Sequence, residues 1–293
     1  MIRVLEIPAS TQRGALMRSL PLLLLLVASL ILFSGAARAQ APSGPQPAPA
    51  NSPDEPNAGL QALARARDSV EKFFSRSANV VCAESITQTI IASNGKASYR
   101  EESKYDYQLE ASNANGSLKL VESRDARKLP FRDPARTLLV TNGFASLLLI
   151  VHPQYETSYQ FRPGGEEVVD GMTLEEIHFT PVPGASSPAA LRLRGKNYPL
   201  PLSGTIWIEK DTGAITRLTA AVDSSLSDLG LKGMNSDIHY ALVQFHDPEE
   251  AYWMPVSATI DLETPLQHWR NVHRFTAYRR FRATIQIEMG KGQ

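Results

Sequence analysis

Six histidines are the first residues to test for chemistry, and they stand apart at positions 152, 178, 239, 246, 268 and 273. Zinc needs convergent nitrogen or sulfur ligands and calcium an acidic loop. The chain has no His-Glu-x-x-His, no Cys-x-x-Cys and no calcium-type loop, so neither a metal nor a cofactor is expected. His268 and His273 would face opposite sides of one strand. All six read as surface or strand-end side chains. A hydrolytic serine needs a sharp turn that opens a helix, whereas Gly184-Ala185-Ser186-Ser187-Pro188 lacks the glycine spacing and sets a proline where the helix should begin. Glu175-Glu176 and Glu249-Glu250 are adjacent carboxylates, which point apart on a strand and so share no substrate atom. Neither a phosphate loop nor a dinucleotide fingerprint occurs. No catalytic residue is expected.

Two features suit binding instead. Arg274, Arg279, Arg280 and Arg282 alternate with Phe275, Tyr278 and Phe281, a basic-aromatic segment that fits an anionic head group, a phosphate-bearing glycan or an acidic partner. The plainer reading is a turn with solvated charges beside core aromatics. Phe144 and residues 147–151, Leu148 among them, are an apolar surplus that would line an acyl-sized cavity or simply fill the core. Cys82 is the single cysteine, so no internal disulfide forms; an odd thiol outside the cytoplasm could pair between chains or react, but its neighbours Val80, Val81 and Ala83 favour a small buried apolar residue.

The elements that must position these residues begin after a leader. Residues 20–33 (LPLLLLLVASLILF) follow Arg13 and Arg18 and precede Ala37-Arg38-Ala39, the pattern of an export signal cut after Ala39. The competing reading is a membrane anchor, but about 14 apolar residues rise roughly 21 Å as a helix, short of the ~30 Å hydrocarbon core. Translation from Met17 would give a more ordinary leader. Without residues 1–39 the balance of 30 basic to 30 acidic residues becomes 26 to 29, which supplies no field for nucleic acid. Residues 40–56 (QAPSGPQPAPANSPDEP) are a Pro-rich, polar tether.

From Asn57 to Phe74 the apolar Leu60, Leu63, Ala64, Val70, Phe73 and Phe74 recur at helical spacing, with Asn57 as cap. Beyond Cys82 the period becomes two. Tyr99, Glu101, Ser103, Tyr105, Tyr107 and Leu109 face one side, and Arg100, Glu102, Lys104, Asp106, Gln108 and Glu110 the other. Asn94-Gly95, Asn115-Gly116 and Asp170-Gly171 are hairpin turns. Residues 129–136 read as a loop, 143–151 as a short buried helix, and 156–162, 166–169 and 172–180 as a meander broken by Pro163-Gly164-Gly165. Further strands cover 204–210, 214–222, 238–243, 256–263, 268–275 and 281–289.

The order of export signal, amphipathic helix, meander and short apolar helix, followed by Gly204-Thr205-Ile206-Trp207-Ile208-Glu209-Lys210-Asp211-Thr212-Gly213-Ala214-Ile215-Thr216-Arg217-Leu218, resembles the periplasmic lipoprotein-carrier superfamily, the LolA/LolB-like fold. It is also similar to secreted bacterial proteins of this length. The carrier resemblance implies an incomplete barrel closed by helices around an apolar cavity for acyl chains. This chain is longer by several strands, and no single position matches the carrier arginine that meets a closing helix.

The expectation is a mainly β (α+β) protein: a curved antiparallel sheet or incomplete barrel of about ten or eleven strands, with an N-terminal helix and a short central helix. Residues 1–39 are the signal, 40–56 the linker and 57–293 one β-rich domain. It is expected to be periplasmic or secreted, with no transmembrane helix after cleavage, and to bind a lipid or acyl chain without catalysis. An envelope interaction or sensor module docking through an edge strand is the alternative, and a hydrolase of envelope polymers the third.

Overall fold

Leu63, Ala66, Val70, Phe73 and Phe74 are buried and fall on one stripe of a 3.6-residue period. They are the inward face of helix α1, Glu55–Arg76, whose Glu71 and Lys72 stay exposed. The helix starts ahead of the Asn57 cap. The computed structural model describes residues 2–4, 55–76, 79–114, 117–128, 141, 143–193, 196–222, 224–246 and 249–280. The leader core at 20–33, most of the linker, the loop at 129–136 and the strand expected at 281–289 lie outside the described residues.

Thirteen strands are described: β1 Ile2–Val4, β2 Val80–Ile91, β3 Ala97–Ala114, β4 Ser117–Lys128, β5 Tyr159–Val169, β6 Met172–Pro181, β7 Ala189–Leu193, β8 Lys196–Pro199, β9 Ser203–Glu209, β10 Ile215–Val222, β11 Gly233–His246, β12 Glu249–Glu263 and β13 His268–Arg280. Ten of them form one sheet in the order β4-β3-β2-β13-β12-β11-β10-β9-β6-β5, every pair antiparallel. The margins β4 and β5 do not pair with each other, so the sheet is large, curved and open rather than a closed barrel. Helix α1 touches β3 near one margin and β5 and β6 at the other, which places it across the inner face.

The alternation read in β3 holds. Ser103, Tyr107 and Leu109 are buried, and Arg100, Glu102 and Lys104 are exposed. Two expected strand segments merge, because β5 runs through Pro163-Gly164-Gly165 with a register shift between Pro163 and Glu166. A proline is tolerated there because β5 is an edge strand with no second ladder to feed. Glu156 belongs instead to a 3₁₀ helix, Pro153–Ser158. A second sheet was not legible in the pattern: β7 pairs with β8, and Ile2–Val4 lies parallel to Ala189–Leu191.

Phe144 to Val151 is buried at every position, with a 3₁₀ helix over Ser146–Ile150. This segment belongs to one core cluster with Ile206, Ile208, Leu218 and Ile238 of the sheet. Each large apolar side chain it buries contributes about 1.5–3 kcal/mol of transfer free energy. The segment is a plug in the hollow of the sheet.

Candidate functional site

Between α1 and strands β10 to β12 the plug leaves a cleft of about 350 Å³. Its depth is apolar: Val70 and Phe73 of α1, Leu148 of the plug, Ile215 and Tyr240 of the sheet, and half-buried Trp253 of β12. Its mouth is polar, carrying exposed Asp68 and Lys72 on the helix and exposed Asp211 and Thr212 on the β9–β10 turn.

The sequence sets the helix at this height above the sheet through the Asp211-Thr212-Gly213 turn. Gly213 has φ +70°, and a Cβ there would stand 2.6 Å from the backbone oxygen of Arg65. Only glycine allows both the conformation and the approach. Glu209 ties the turn down, accepting from the amides of Asp211 and Thr212 at 3.1 and 2.7 Å and from the Thr212 hydroxyl at 2.5 Å. Ion pairs of Arg65 with Glu175 of β6, and of Arg67 with Glu156 at 2.8 Å, fix the helix toward the β5 margin.

Two carboxylates hold the plug. Glu122 of β4 accepts from the amides of Gly143 and Ser146 at 2.6 and 3.0 Å, from the Ser146 hydroxyl at 2.7 Å, and from the Tyr107 hydroxyl at 2.5 Å. Tyr240 adds a bond to the Phe144 carbonyl at 2.8 Å. The second carboxylate, Glu84 of β2, ends a buried chain of donors. Gln88 donates to Asn271 at 2.7 Å, Asn271 to the Thr141 hydroxyl at 3.2 Å, Thr141 to His273 Nε2 at 2.7 Å, and His273 Nδ1 to Glu84 at 2.8 Å. That direction is the tautomer the network assigns, and it requires a neutral imidazole.

Arg124 of β4 closes the chain with a two-pronged bond to the same Glu84 carboxylate. Burial alone would raise the Glu84 carboxyl, but the bonds from Arg124 and His273 outweigh it and hold it below the usual carboxylate range. Burial likewise lowers His273, against the pull of Glu84. Glu84, His273 and Thr141 repeat the carboxylate–imidazole–hydroxyl order of a hydrolase triad. All three are buried, with His273 at 0% exposure. The arrangement ties Thr141, at the entry of the plug, to the sheet. Among the described residues no cluster could hold a metal ion.

The anticipated binding residues are dispersed. Leu148 lines the cleft. Phe144 lies outside it and packs on the His273 ring, centroids 4.6 Å apart. Arg274 is exposed on the outer face of β13, between Ser257 and Ser85 in register. Arg279 is exposed beyond a bulge at Thr276. The bond from Arg127, with the charge of Arg279 nearby, keeps Asp106 below the usual carboxylate range. Arg280 turns inward, lying 5.7 and 5.2 Å from the ring centroids of Phe245 and Tyr252 and paired with Glu250 at 2.5 Å. Arg282 lies outside the described residues. His273 corrects the reading of every histidine as a surface or strand-end group: it occupies an inward position of β13 and is fully enclosed. Sequence reasoning also missed Trp253, Tyr240 and the buried Glu84–Arg124 pair.

Among the described residues no helix is long and apolar enough to cross a membrane. No family model matches the chain, and no curated protein does. Solved structures do. An outer membrane lipoprotein-sorting protein domain from Vibrio parahaemolyticus is similar at TM-score 0.43 and 10% identity, over 78% of this chain and 95% of its own. A DUF1329 family protein from Desulfovibrio piger follows at TM-score 0.42 and 13% identity, over 78% and 95%. A LolA superfamily protein from Nitrosomonas europaea stands at TM-score 0.36 and 11% identity, over 78% and 94%. The superfamily that the sequence resembles is thus represented among the similar structures. At this level of likeness nothing about ligand or activity carries over.

Proposed function

We propose that this chain is an exported envelope protein that takes the apolar part of a lipid-like ligand into the cleft under α1 and performs no catalysis on it. The observation that carries the reading is the cleft: an apolar floor beneath a helix, ringed by charges. Export rests on the leader at residues 20–39. Of the binding residues anticipated from sequence, this reading assigns Leu148 to the ligand. A second reading, docking through a sheet margin, is favoured by Val168 and Val169 on edge strand β5, exposed at 73% and 39%.

An apolar fluorophore such as N-phenyl-1-naphthylamine tests the first reading. It should bind saturably at one site per chain. Ser69→Trp, which fills the cleft from a half-exposed helix position, should weaken that binding at least tenfold while leaving the thermal midpoint in place. Absence of saturable binding, or unchanged binding to the Ser69→Trp protein, removes the cleft as the site.

A further inference from the structure

We infer that the cleft selects a single-chain zwitterionic amphiphile, with one acyl chain in the depth and an anionic phosphate and an ammonium group at the mouth; this rests on the cleft being the ligand site. Capacity comes first. At about 350 Å³ the space holds roughly a dozen methylene-sized groups, if each takes the ~30 Å³ share of a water molecule. That is about the bulk of one acyl chain, and a second would have to lie toward the open mouth. The cleft cannot grow inward, because Glu122 and the Glu84–His273–Thr141 series fix the plug that bounds it.

The charges at the mouth point to the head group. Asp68 and Lys72 are four residues apart on α1, the spacing at which opposite charges pair across a helical turn. They do not pair. Neither Asp68, Lys72 nor Asp211 has an ion-pair partner among the described residues, and all three are exposed where they line the cleft. Arg65 beside them is committed to Glu175. An unpaired cation with two unpaired carboxylates around one opening is complementary to a group bearing both signs, and poorly so to a lone carboxylate or an uncharged ester. Lys72 would meet the phosphate, and Asp211 with Asp68 the ammonium.

Equilibrium binding by the intact exported chain tests this with three probes: lysophosphatidylethanolamine, the two-chain phosphatidylethanolamine, and an uncharged monoacylglycerol. The single-chain zwitterion should bind one per chain and at least tenfold tighter than either other probe. Lys72→Gln and Asp211→Asn should each cost it fivefold or more while leaving monoacylglycerol unchanged. Equal binding of the two-chain lipid overturns the capacity argument, and equal binding of monoacylglycerol, or indifference to both substitutions, overturns the head-group argument. Failure of all three probes and of the apolar fluorophore removes the cleft reading itself, a result separate from the other two.

Discussion

Replacing Gly213 by alanine isolates the contact that sets α1 over the sheet. The new Cβ must adopt φ near +70°, a left-handed conformation that costs about 1–2 kcal/mol for a side chain. It must also enter space 2.6 Å from the Arg65 backbone oxygen and 2.7 Å from its carbon. Forcing a methyl group into a filled contact costs about 1–3 kcal/mol more, because the neighbour here is helix backbone and not a flexible side-chain tip. The sum is about 2–5 kcal/mol. At roughly 2–4 °C per kcal/mol for a domain of this size, the thermal midpoint should fall by some 4–20 °C. Gly171 is an internal control: its φ is +81°, but nothing lies within 4 Å of where its Cβ would be. Gly171→Ala should therefore cost only the conformational part, about 1–2 kcal/mol. Scanning calorimetry on both variants, with fluorophore binding on the same samples, gives the comparison. Gly213→Ala should lose about 1–3 kcal/mol more than Gly171→Ala and should also weaken binding. Equal losses with unchanged binding would falsify the claim that this turn positions the helix.

Three further outcomes follow from the buried polar groups. Burial pushes the Cys82 thiol up to about 12 despite the hydrogen bond it shares with Tyr278, so iodoacetamide should leave the native protein unmodified at neutral pH and alkylate it in urea; native labelling contradicts this. Stability should be highest above about pH 6.5 and fall as pH drops, because the unfolded His273 takes up a proton there and the folded one does not, with a second loss below about pH 4.3 as the unfolded Glu84 protonates first. His152, lowered by burial, adds to the first limb. His273→Gln should flatten that limb in thermal scans at several pH values, and an unaltered slope would count against the assigned neutral imidazole. Glu122→Ala strips the acceptor from two amides and two hydroxyls, so urea unfolding should show a loss of about 3 kcal/mol or more. Glu110→Ala, on the exposed face of the neighbouring strand, should stay within about 0.5 kcal/mol.

Much of the frame could be read from local pattern. The alternation from Tyr99 to Leu109, the helical stripe ending at Phe74 and the turn at Asp211-Thr212-Gly213 each depend on residues within one element, where period and turn chemistry decide the outcome. The site was less legible because its parts lie far apart in the chain. Val70, Leu148, Tyr240 and Trp253 meet only after the sheet has curved under the helix. The Glu84 series joins β2, β4 and β13, a juxtaposition set by strand order, not by spacing. One signal was present. In Val80, Cys82, Glu84, Ile86, Gln88, Ile90, two polar residues stand in the inward phase of an otherwise apolar face, and buried polar groups on a strand require partners from another element. The arginines misled for the opposite reason: the bulge after Thr276 flips the alternation, so Arg280, which is in phase with Arg274, turns inward while Arg279 takes the outer face.

Native mass spectrometry of the protein recovered from the cells that make it, without added lipid, tests the central claim most directly. The cleft reading predicts one non-covalent amphiphile per chain, released by mild activation and lost from the Ser69→Trp protein. A bare polypeptide mass for both, under conditions that keep a known lipid complex intact, would contradict it.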